Sequence, residues 1–354
     1  MKEHYPSKGI VKRFGQALTL TASIGAATFG AFGLSSAAHA DTDIRFTLDW
    51  RFEGPSAPFL MAYEKGYFKD EGLNVTIDSG NGSAGAVTRV ATDAYDMGFA
   101  DYSALTETTA NNPDTEVTGI YMVYNAMPAA VFALKKSGIE TPADLKGKTL
   151  GAPVFDGGRK AWPAFARHND LKVDDVSWQS VEPAIRETLL ARGQLDGITG
   201  FYFTSLLNLE ARGVDPEDIV VLKYPDYGVE FYGNTIIARN ELLEENPEAV
   251  RGFLRAFNKA LQETIADPEA AIAYVKQRDA LIDEALETRR LKLALETNVI
   301  TDETRAEGLG AVTTDRMERA LADMIASYNL EPKPELEALF DSSYLPALAD
   351  RMID

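Results

Sequence analysis

The sequence predicts an α/β protein of two lobes, each a mixed, mostly parallel sheet with flanking helices, joined by two hinge crossings. The 354 residues have an ordinary globular composition, with 45% hydrophobic and 25% charged residues. Short β-branched or apolar runs alternate with helical patterns, which is typical of parallel strands with crossover helices. The alternation occurs twice, and one strand in each half begins with an Asp and a Gly, at Asp96-Met97-Gly98 and at Asp196-Gly197.

The first 40 residues have the pattern of a secretory signal peptide. A basic start precedes an apolar stretch of small residues over 17–34, and Ala38-His39-Ala40 has the form of a cleavage site. An uncleaved membrane anchor is the alternative, but threonines, a serine and glycines dilute the apolar run. We therefore expect a periplasmic protein that is cleaved near Ala40 and does not insert into the membrane.

Cysteine is absent and the formal net charge is −19. The missing thiol excludes disulfides, thiolate metal sites, a cysteine nucleophile and a lipid-modified cysteine. The leader is basic, so its removal makes the charge more negative, which opposes binding to nucleic acid or anionic lipid. We expect a free monomer with no metal and no cofactor.

The expected elements form two series from residue 43 onward. In the first series the strands are 44–48, 73–77, 96–100 and 117–123, and the helices include 57–71 and 84–92. In the second series the strands are 149–154, 176–180, 195–199 and 219–222, and the helices are 159–169, 184–192 and 203–212. A strand at 233–238 and helices from residue 247 to the end follow.

The predicted division places lobe I at 41–133 and 235–354, with the C-terminal helices, and lobe II at 134–234. The crossings are expected near 131–135 and 231–237. Ligands of open α/β sheets lie beyond the carboxyl ends of the strands, so the loops that follow strands in both lobes should face one cleft.

Aromatic, charged and glycine-rich groups are concentrated in those loops. The loop 49–55 follows the first strand, and the loop from Gly80 opens a helix whose free N–H groups suit a ligand acceptor. The candidate ligand-binding residues are Asp49, Trp50, Arg51, Asn81, Ser83, Asp101, Tyr102, Tyr124, Phe155, Asp156, Gly157, Phe201, Tyr202, Tyr232 and Asn234.

Such a lining favours a flat or heteroaromatic ligand with hydrogen-bonding edges, because rings gain most by stacking on Trp, Tyr and Phe. An acidic cleft, with Asp101 and Glu230 among its carboxylates, suits amino groups. Arg51 and Arg159, if they point inward, suit a carboxylate or sulfonate instead. The sequence leaves both alternatives open.

Signs of catalysis are few. Two of the three histidines lie in the leader, the third, His168, lies on a predicted helix, and no Gly-x-Ser-x-Gly motif is present. The competing class is a secreted hydrolase that uses Asp49 or Asp101 with Glu230 as acid and base. We expect no enzymatic activity and no catalytic residues.

Four segments resemble one superfamily: Leu48-Asp49-Trp50, the run EKGYFKDEGL at 64–73, Asp96-Met97-Gly98, and DLKGK at 144–148. They are similar to the solute-binding proteins of nitrate, sulfonate, taurine and pyrimidine-precursor ABC importers. The superfamily also contains the hydroxymethylpyrimidine synthases. The resemblance runs over about 43–255.

This resemblance implies a periplasmic binding protein of type II, which captures a small solute and passes it to an inner-membrane ABC permease. A pyrimidine-like thiamine precursor is the favoured ligand, and a sulfonate, taurine or nitrate is the alternative. In the relatives the tryptophan region helps to hold the ring, a role that the resemblance extends to Trp50. The synthase and desulfinase branches need cysteine, so the resemblance excludes both for this chain.

Overall fold

The computed structural model describes residues 41–353. The predicted signal peptide and its cleavage site at Ala40 lie outside the described residues. Among the residues described, no helix is both long and apolar enough to cross a membrane.

Five strands form the first sheet, in the order β2-β1-β3-β10-β4. Strand β1 is parallel to β2 and β3, whereas β10 is antiparallel to β3 and β4. Strands β3, β4 and β10 are buried along almost their whole length, which explains their apolar runs, whereas the edge strand β2 alternates buried and exposed side chains. The strands are β1 Thr42–Thr47, β2 Leu73–Asp78, β3 Met97–Asp101, β4 Val117–Met122 and β10 Asn234–Arg239.

The second sheet repeats this topology in the order β7-β6-β8-β5-β9. Strand β6 is parallel to β7 and β8, and β5 is antiparallel to β8 and β9. The strands are β5 Ala129–Leu134, β6 Thr149–Ala152, β7 Ser177–Ser180, β8 Gly197–Phe201 and β9 Ile219–Lys223. The fold is therefore the two-lobed α/β arrangement that the sequence predicts.

The first crossing lies earlier than 131–135. Strand β5 spans 129–134 and pairs with β8 and β9 of the second sheet, so the chain leaves the first sheet between 123 and 128. The predicted boundary at 133 assigned this strand to the wrong sheet, because an apolar strand looks the same on either side of a hinge. The second crossing ends where β10 begins, at Asn234.

Helices cover both faces of each sheet. The helix expected over 57–71 is interrupted, because Gly66 has φ +76°, a conformation that favours glycine. Within residues 41–353 the α-helices are α1 Ala57–Glu64, α2 Tyr67–Asp70, α3 Ser83–Ala91, α4 Tyr102–Asn111, α5 Gly157–Lys160, α6 Trp162–His168, α7 Arg186–Ala191, α8 Tyr202–Glu210, α9 Asn240–Glu245, α10 Pro247–Ala266, α11 Pro268–Arg278, α12 Glu284–Ala294, α13 Asp302–Glu307, α14 Thr314–Tyr328 and α15 Leu336–Leu339.

The C-terminal helices contact both halves of the molecule, whereas the sequence assigned them to lobe I. Helix α10 packs on α1, where the rings of Phe59 and Phe257 lie 4.4 Å apart. Helix α12 packs against α8, and α14 packs against both α4 and α6. Asp323 of α14 accepts a hydrogen bond from Arg167 at 2.5 Å and pairs with His168 of α6 at 2.6 Å. The contacts of α12 with α8 and of α14 with α6 join the C-terminal helices to the predicted lobe II.

Candidate functional site

A cleft of about 720 Å³, including its opening, lies between the carboxyl ends of the two sheets. It is lined by Leu48, Asp49, Trp50, Arg51, Glu53, Pro55, Ser56, Gly82, Ser83, Phe99, Tyr124, Pro153, Phe155, Asp156, Gly157, Arg186, Phe201, Phe203 and Thr204. Loops that follow strands of both sheets therefore face one space, as expected from the topology.

The structure brings nine of the fifteen candidate residues together in this lining. They are Asp49, Trp50, Arg51, Ser83, Tyr124, Phe155, Asp156, Gly157 and Phe201. The other six lie outside it, and each has a different local environment. They are Asn81, Asp101, Tyr102, Tyr202, Tyr232 and Asn234.

Asp101 and Tyr102 lie behind the cleft wall because β3 turns directly into α4. Asp101 is the N-cap of that helix: its Oδ1 accepts from the backbone N–H of Ser103 at 2.9 Å and from the Ser103 hydroxyl. Both Asp101 and Tyr102 are completely buried. Asn81 is exposed at the surface, one residue before Gly82 of the lining.

The remaining candidates make contacts within the protein. Tyr202 lies under the Nζ of Lys223, 4.1 Å from the ring centre. Tyr232 donates to Glu303 and its ring stacks on the guanidinium of Arg316 at 3.9 Å. Asn234 is buried beside the lining and donates to Asp49, so it supports a cleft residue without reaching the cleft itself.

Several lining residues were missing from the candidate set. Phe99 is the central residue of β3, and Phe203 and Thr204 lie in the first turn of α8. Glu53 belongs to the loop 49–55 that the sequence singled out. Arg186 begins α7 after an irregular segment, and no sequence motif marks it.

Aromatic rings form the wall beneath the cleft. Tyr124 lies edge-on to Phe99 at 5.3 Å and to Phe203 at 5.8 Å, and Phe203 lies edge-on to Phe201 at 5.9 Å. Trp50 donates its indole N–H to Oε1 of Glu53 at 3.2 Å, which fixes the indole at the entrance. Such a surface suits the face of a planar ligand.

Asp49 is the deepest carboxyl group of the lining, with only 8% of its surface exposed. Its Oδ2 accepts from Nδ2 of Asn234 at 2.7 Å, and the Ser83 hydroxyl lies 3.4 Å away. Burial raises the pKa of Asp49 to about 7, although these hydrogen bonds act in the opposite direction. The charge state of Asp49 therefore changes near neutral pH.

Arg186 is the buried cation of the lining, and side chains of the protein accept hydrogen bonds from its guanidinium. It donates to Asp156 Oδ2 at 2.9 Å, to Glu187 Oε1 at 2.7 Å and to the Ser205 hydroxyl at 2.9 Å. Burial alone lowers the pKa of Arg186, but Glu187 and Asp156 raise it overall. Arg186 is thus a charged support for the acidic side of the cleft.

A second buried network links the cleft to the C-terminal helices. Arg290 of α12 donates to Glu287 at 2.9 Å and to the carbonyl oxygens of Phe203 and Thr204, each at 3.1 Å. Glu287 accepts from the Gly54 N–H at 2.6 Å. Arg290 also lies 3.6 Å from Glu53, whose pKa is raised by burial in spite of this cation.

The two halves touch across the cleft at Gly82 and Phe155. A Cβ atom on Gly82 would lie 2.5 Å from Cδ2 of Phe155, so only glycine fits under this ring. Gly82 also has φ +144°, which other residues rarely adopt. The structure therefore shows the cleft closed at this point.

Two further residues that the sequence analysis considered for the cleft, Arg159 and Glu230, lie outside it. Arg159 donates to the carbonyl of Ala152 at 3.0 Å and lies over the Trp178 ring. Glu230 is exposed and 3.9 Å from Arg319. Neither residue lines the cleft. Arg51 does line it, but is exposed.

Residues 54–271 match the family model described as NMT1/THI5 like. The chain belongs to this family. The 4-amino-5-hydroxymethyl-2-methylpyrimidine phosphate synthase of Aspergillus parasiticus is 29% identical over 238 residues, which cover 64% of this chain and 68% of that protein. The formylaminopyrimidine-binding protein of Halalkalibacterium halodurans is 24% identical over 232 residues, 65% of this chain and 68% of that protein.

Solved structures of similar fold include the alkanesulfonate-binding protein SsuA from Xanthomonas axonopodis pv. citri bound to MOPS. The two structures superpose with a TM-score of 0.66 at 14% sequence identity. The superposition covers 86% of this chain and 100% of the SsuA chain. At this identity the likeness concerns the fold alone. This member of the NMT1/THI5-like family therefore has the fold of the periplasmic binding proteins.

Proposed function

We propose that this protein is the periplasmic solute-binding component of an ABC importer, and that its ligand is a flat amino-substituted heterocycle such as a pyrimidine thiamine precursor. The observation that carries the proposal is the cleft itself, in which aromatic rings face carboxyl groups. Rings hold the faces of a heterocycle, and Asp49, Glu53 and Asp156 offer acceptors to its amino groups. The formylaminopyrimidine-binding relative supports this ligand class.

The charge of the lining favours amino groups over anions. Its one buried cation, Arg186, already donates to two carboxylates and a hydroxyl. A sulfonate or nitrate entering the cleft would compete with Asp156 and Glu187 for that guanidinium and would lie near Asp49 and Glu53. The other cation of the lining is Arg51, whose side chain is exposed.

The synthase names among the relatives do not carry over to this chain. The sequence contains no cysteine. His168, the single histidine of the described part, lies on α6 with its Nε2 paired to Asp323, and it does not line the cleft. Glu230, the acid considered for a hydrolase, does not line the cleft either. Binding without chemical change is the function that these residues support.

A thermal-shift screen of the purified protein tests the ligand class. The compounds are aminopyrimidines, flavins, purines, taurine, alkanesulfonates, aromatic acids and nitrate, because a bound ligand raises the melting temperature by mass action. We expect the largest shift from an aminopyrimidine and no chemical turnover of it. A shift confined to taurine, sulfonates or nitrate would contradict the proposed ligand.

Trp50→Leu is expected to abolish the aminopyrimidine shift, since the ring would lose its stacking partner at the entrance. The matched control is Trp178→Leu, which removes an indole on β7 that packs against Trp162 and Arg159 outside the cleft. Each shift is measured against the melting temperature of the same variant without ligand. An undiminished shift in Trp50→Leu would remove Trp50 from the site.

Export and transport need separate tests. N-terminal sequencing of the protein from a periplasmic fraction is expected to begin at Asp41. Stimulation of the ATPase of a co-reconstituted ABC permease by the liganded protein would support the partner. If the protein is found in the cytoplasmic fraction and still carries residues 1–40, the proposed location is contradicted.

A further inference from the structure

Asp49 lies in the cleft without a compensating cation. Within residues 41–353 no Lys, Arg or His approaches it within 4 Å, and a second carboxyl group, Asp101, acts on it and raises its pKa further. Its surroundings are the side chains of Tyr124, Ser83 and Asn234. A carboxylate in such a place is costly, and protonation removes that cost.

A second buried polar pair lies behind Asp49. Asn234 stands directly opposite Asp101 in the antiparallel pair β10–β3, so their side chains lie on the same face of the sheet. Both are completely buried, and Oδ1 of Asn234 and Oδ2 of Asp101 accept no hydrogen bond from the described residues. The polar groups behind Asp49 therefore supply no cation to its carboxyl group.

In the structure Nδ2 of Asn234 donates to Asp49, and of these three residues Asp49 alone lines the cleft. Asp49 is therefore a buried carboxyl group that a ligand can reach, and it has no cation beside it.

We propose that Asp49 binds the ligand as a neutral carboxylic acid and donates its proton to an unprotonated ring nitrogen. This inference rests on the proposed function, because it assumes a heterocyclic ligand in the cleft. A neutral carboxyl group offers one donor and one acceptor, which match a ring nitrogen and an adjacent amino group. Asp49 would thus select rings that carry an acceptor nitrogen beside an amino group.

Other titratable groups lie around Asp49. Burial keeps the pKa of Tyr124 well above its usual value, and burial also raises the pKa of Asp101 and of Glu53. Asp156 and Arg186 form an ion pair on the opposite wall. The variant Glu53→Gln removes the titration of this second acid of the cleft. Its contribution to the pH dependence of binding can then be told apart from that of Asp49.

The sign of the pH dependence follows from proton linkage. Above pH 7 the free protein loses the Asp49 proton, and binding to the ring nitrogen must take one up. The affinity should then fall about tenfold for each pH unit, while the ligand itself stays neutral. If the ligand binds without a proton on Asp49, the affinity should not fall with pH in this way.

Isothermal titration calorimetry with 4-amino-5-hydroxymethyl-2-methylpyrimidine at pH 7.5, 8.5 and 9.5 tests the inference. We expect affinity to fall about 100-fold over this range, with about one proton taken up per ligand when buffers of different ionisation heat are compared. The proton count uses the unaltered protein and does not depend on any variant folding.

Asp49→Asn should bind with nearly constant affinity over the same range and without proton uptake, because an amide N–H donates at every pH. Asp43→Asn, an exposed position on strand β1, which precedes Asp49, should keep the slope of the parent protein. An affinity of the parent protein that is flat from pH 7.5 to 9.5, or an equal slope in Asp49→Asn, would overturn the role of Asp49. No binding of the pyrimidine at any pH would instead count against the proposed function.

Discussion

At the scale of single residues, Asp49 destabilises the empty protein at neutral and alkaline pH. Its pKa is raised from 3.8 to about 7 in the fold. Between these values the unfolded chain has lost the proton and the folded protein still holds it, so stability falls as the pH rises. Above pH 7 the penalty is complete, and below about pH 4 it is absent.

Asp49→Asn should therefore stabilise the unliganded protein. The gain is expected to reach up to about 4 kcal/mol at pH 8, from about 1.4 kcal/mol per pKa unit, and to disappear near pH 4. Urea denaturation followed by circular dichroism at pH 4, 6 and 8 measures it. Equal stabilisation at all three pH values would show that the amide acts through packing and not through the missing charge.

At the scale of elements, Arg290 of α12 holds the first turn of α8 through two carbonyl oxygens and keeps Glu287 paired. Its side chain is 2% exposed. Removal of one partner of a buried ion pair leaves the other charge without compensation and typically costs about 3–5 kcal/mol.

We expect Arg290→Met to lose stability of that order and to weaken ligand binding, because Glu53 and α8 both line or support the cleft. Arg289→Met is the matched control. Its guanidinium is exposed and pairs with Glu210 on the surface, so it should change stability by less than about 1 kcal/mol. Chemical denaturation and calorimetry of both variants decide whether the buried arginine has this role.

The elements also show what the sequence was able to predict. The apolar pattern located nine of the ten strands in residues 41–353 to within a few residues, because buried strands keep apolar side chains. It did not assign β5 to its sheet, since pairing partners are set by tertiary contacts. Asp101 lies outside the cleft lining because a residue that ends a strand and begins a helix uses its carboxylate as a cap. Arg186 was missed because its position in the cleft depends on the packing of α7, which no local pattern encodes.

At the scale of the whole molecule, the two halves are expected to separate when the cleft is empty. The chain contains no cysteine, so Asn81→Cys and Val154→Cys place two spin labels on opposite sides of the cleft, at exposed positions next to Gly82 and Phe155. Added ligand should shorten and narrow the distance distribution, because contacts made in the closed state favour that state.

The control for this measurement is a label pair within one half, Asn81→Cys with Thr92→Cys, which spans α3 and should not respond to ligand. An identical distribution with and without ligand in the first pair would show that the two halves do not move. It would also leave the proposed lobe division without support.

The ring of Phe155 lies directly on Gly82, where no larger residue fits. If this contact bounds the exit of the cleft, a bound solute leaves only when the two surfaces part. Its residence time is then set by how often the protein opens and much less by the solute's own contacts. Chemically different solutes would leave at similar rates, and a partner that pulls Phe155 away from Gly82 would control delivery.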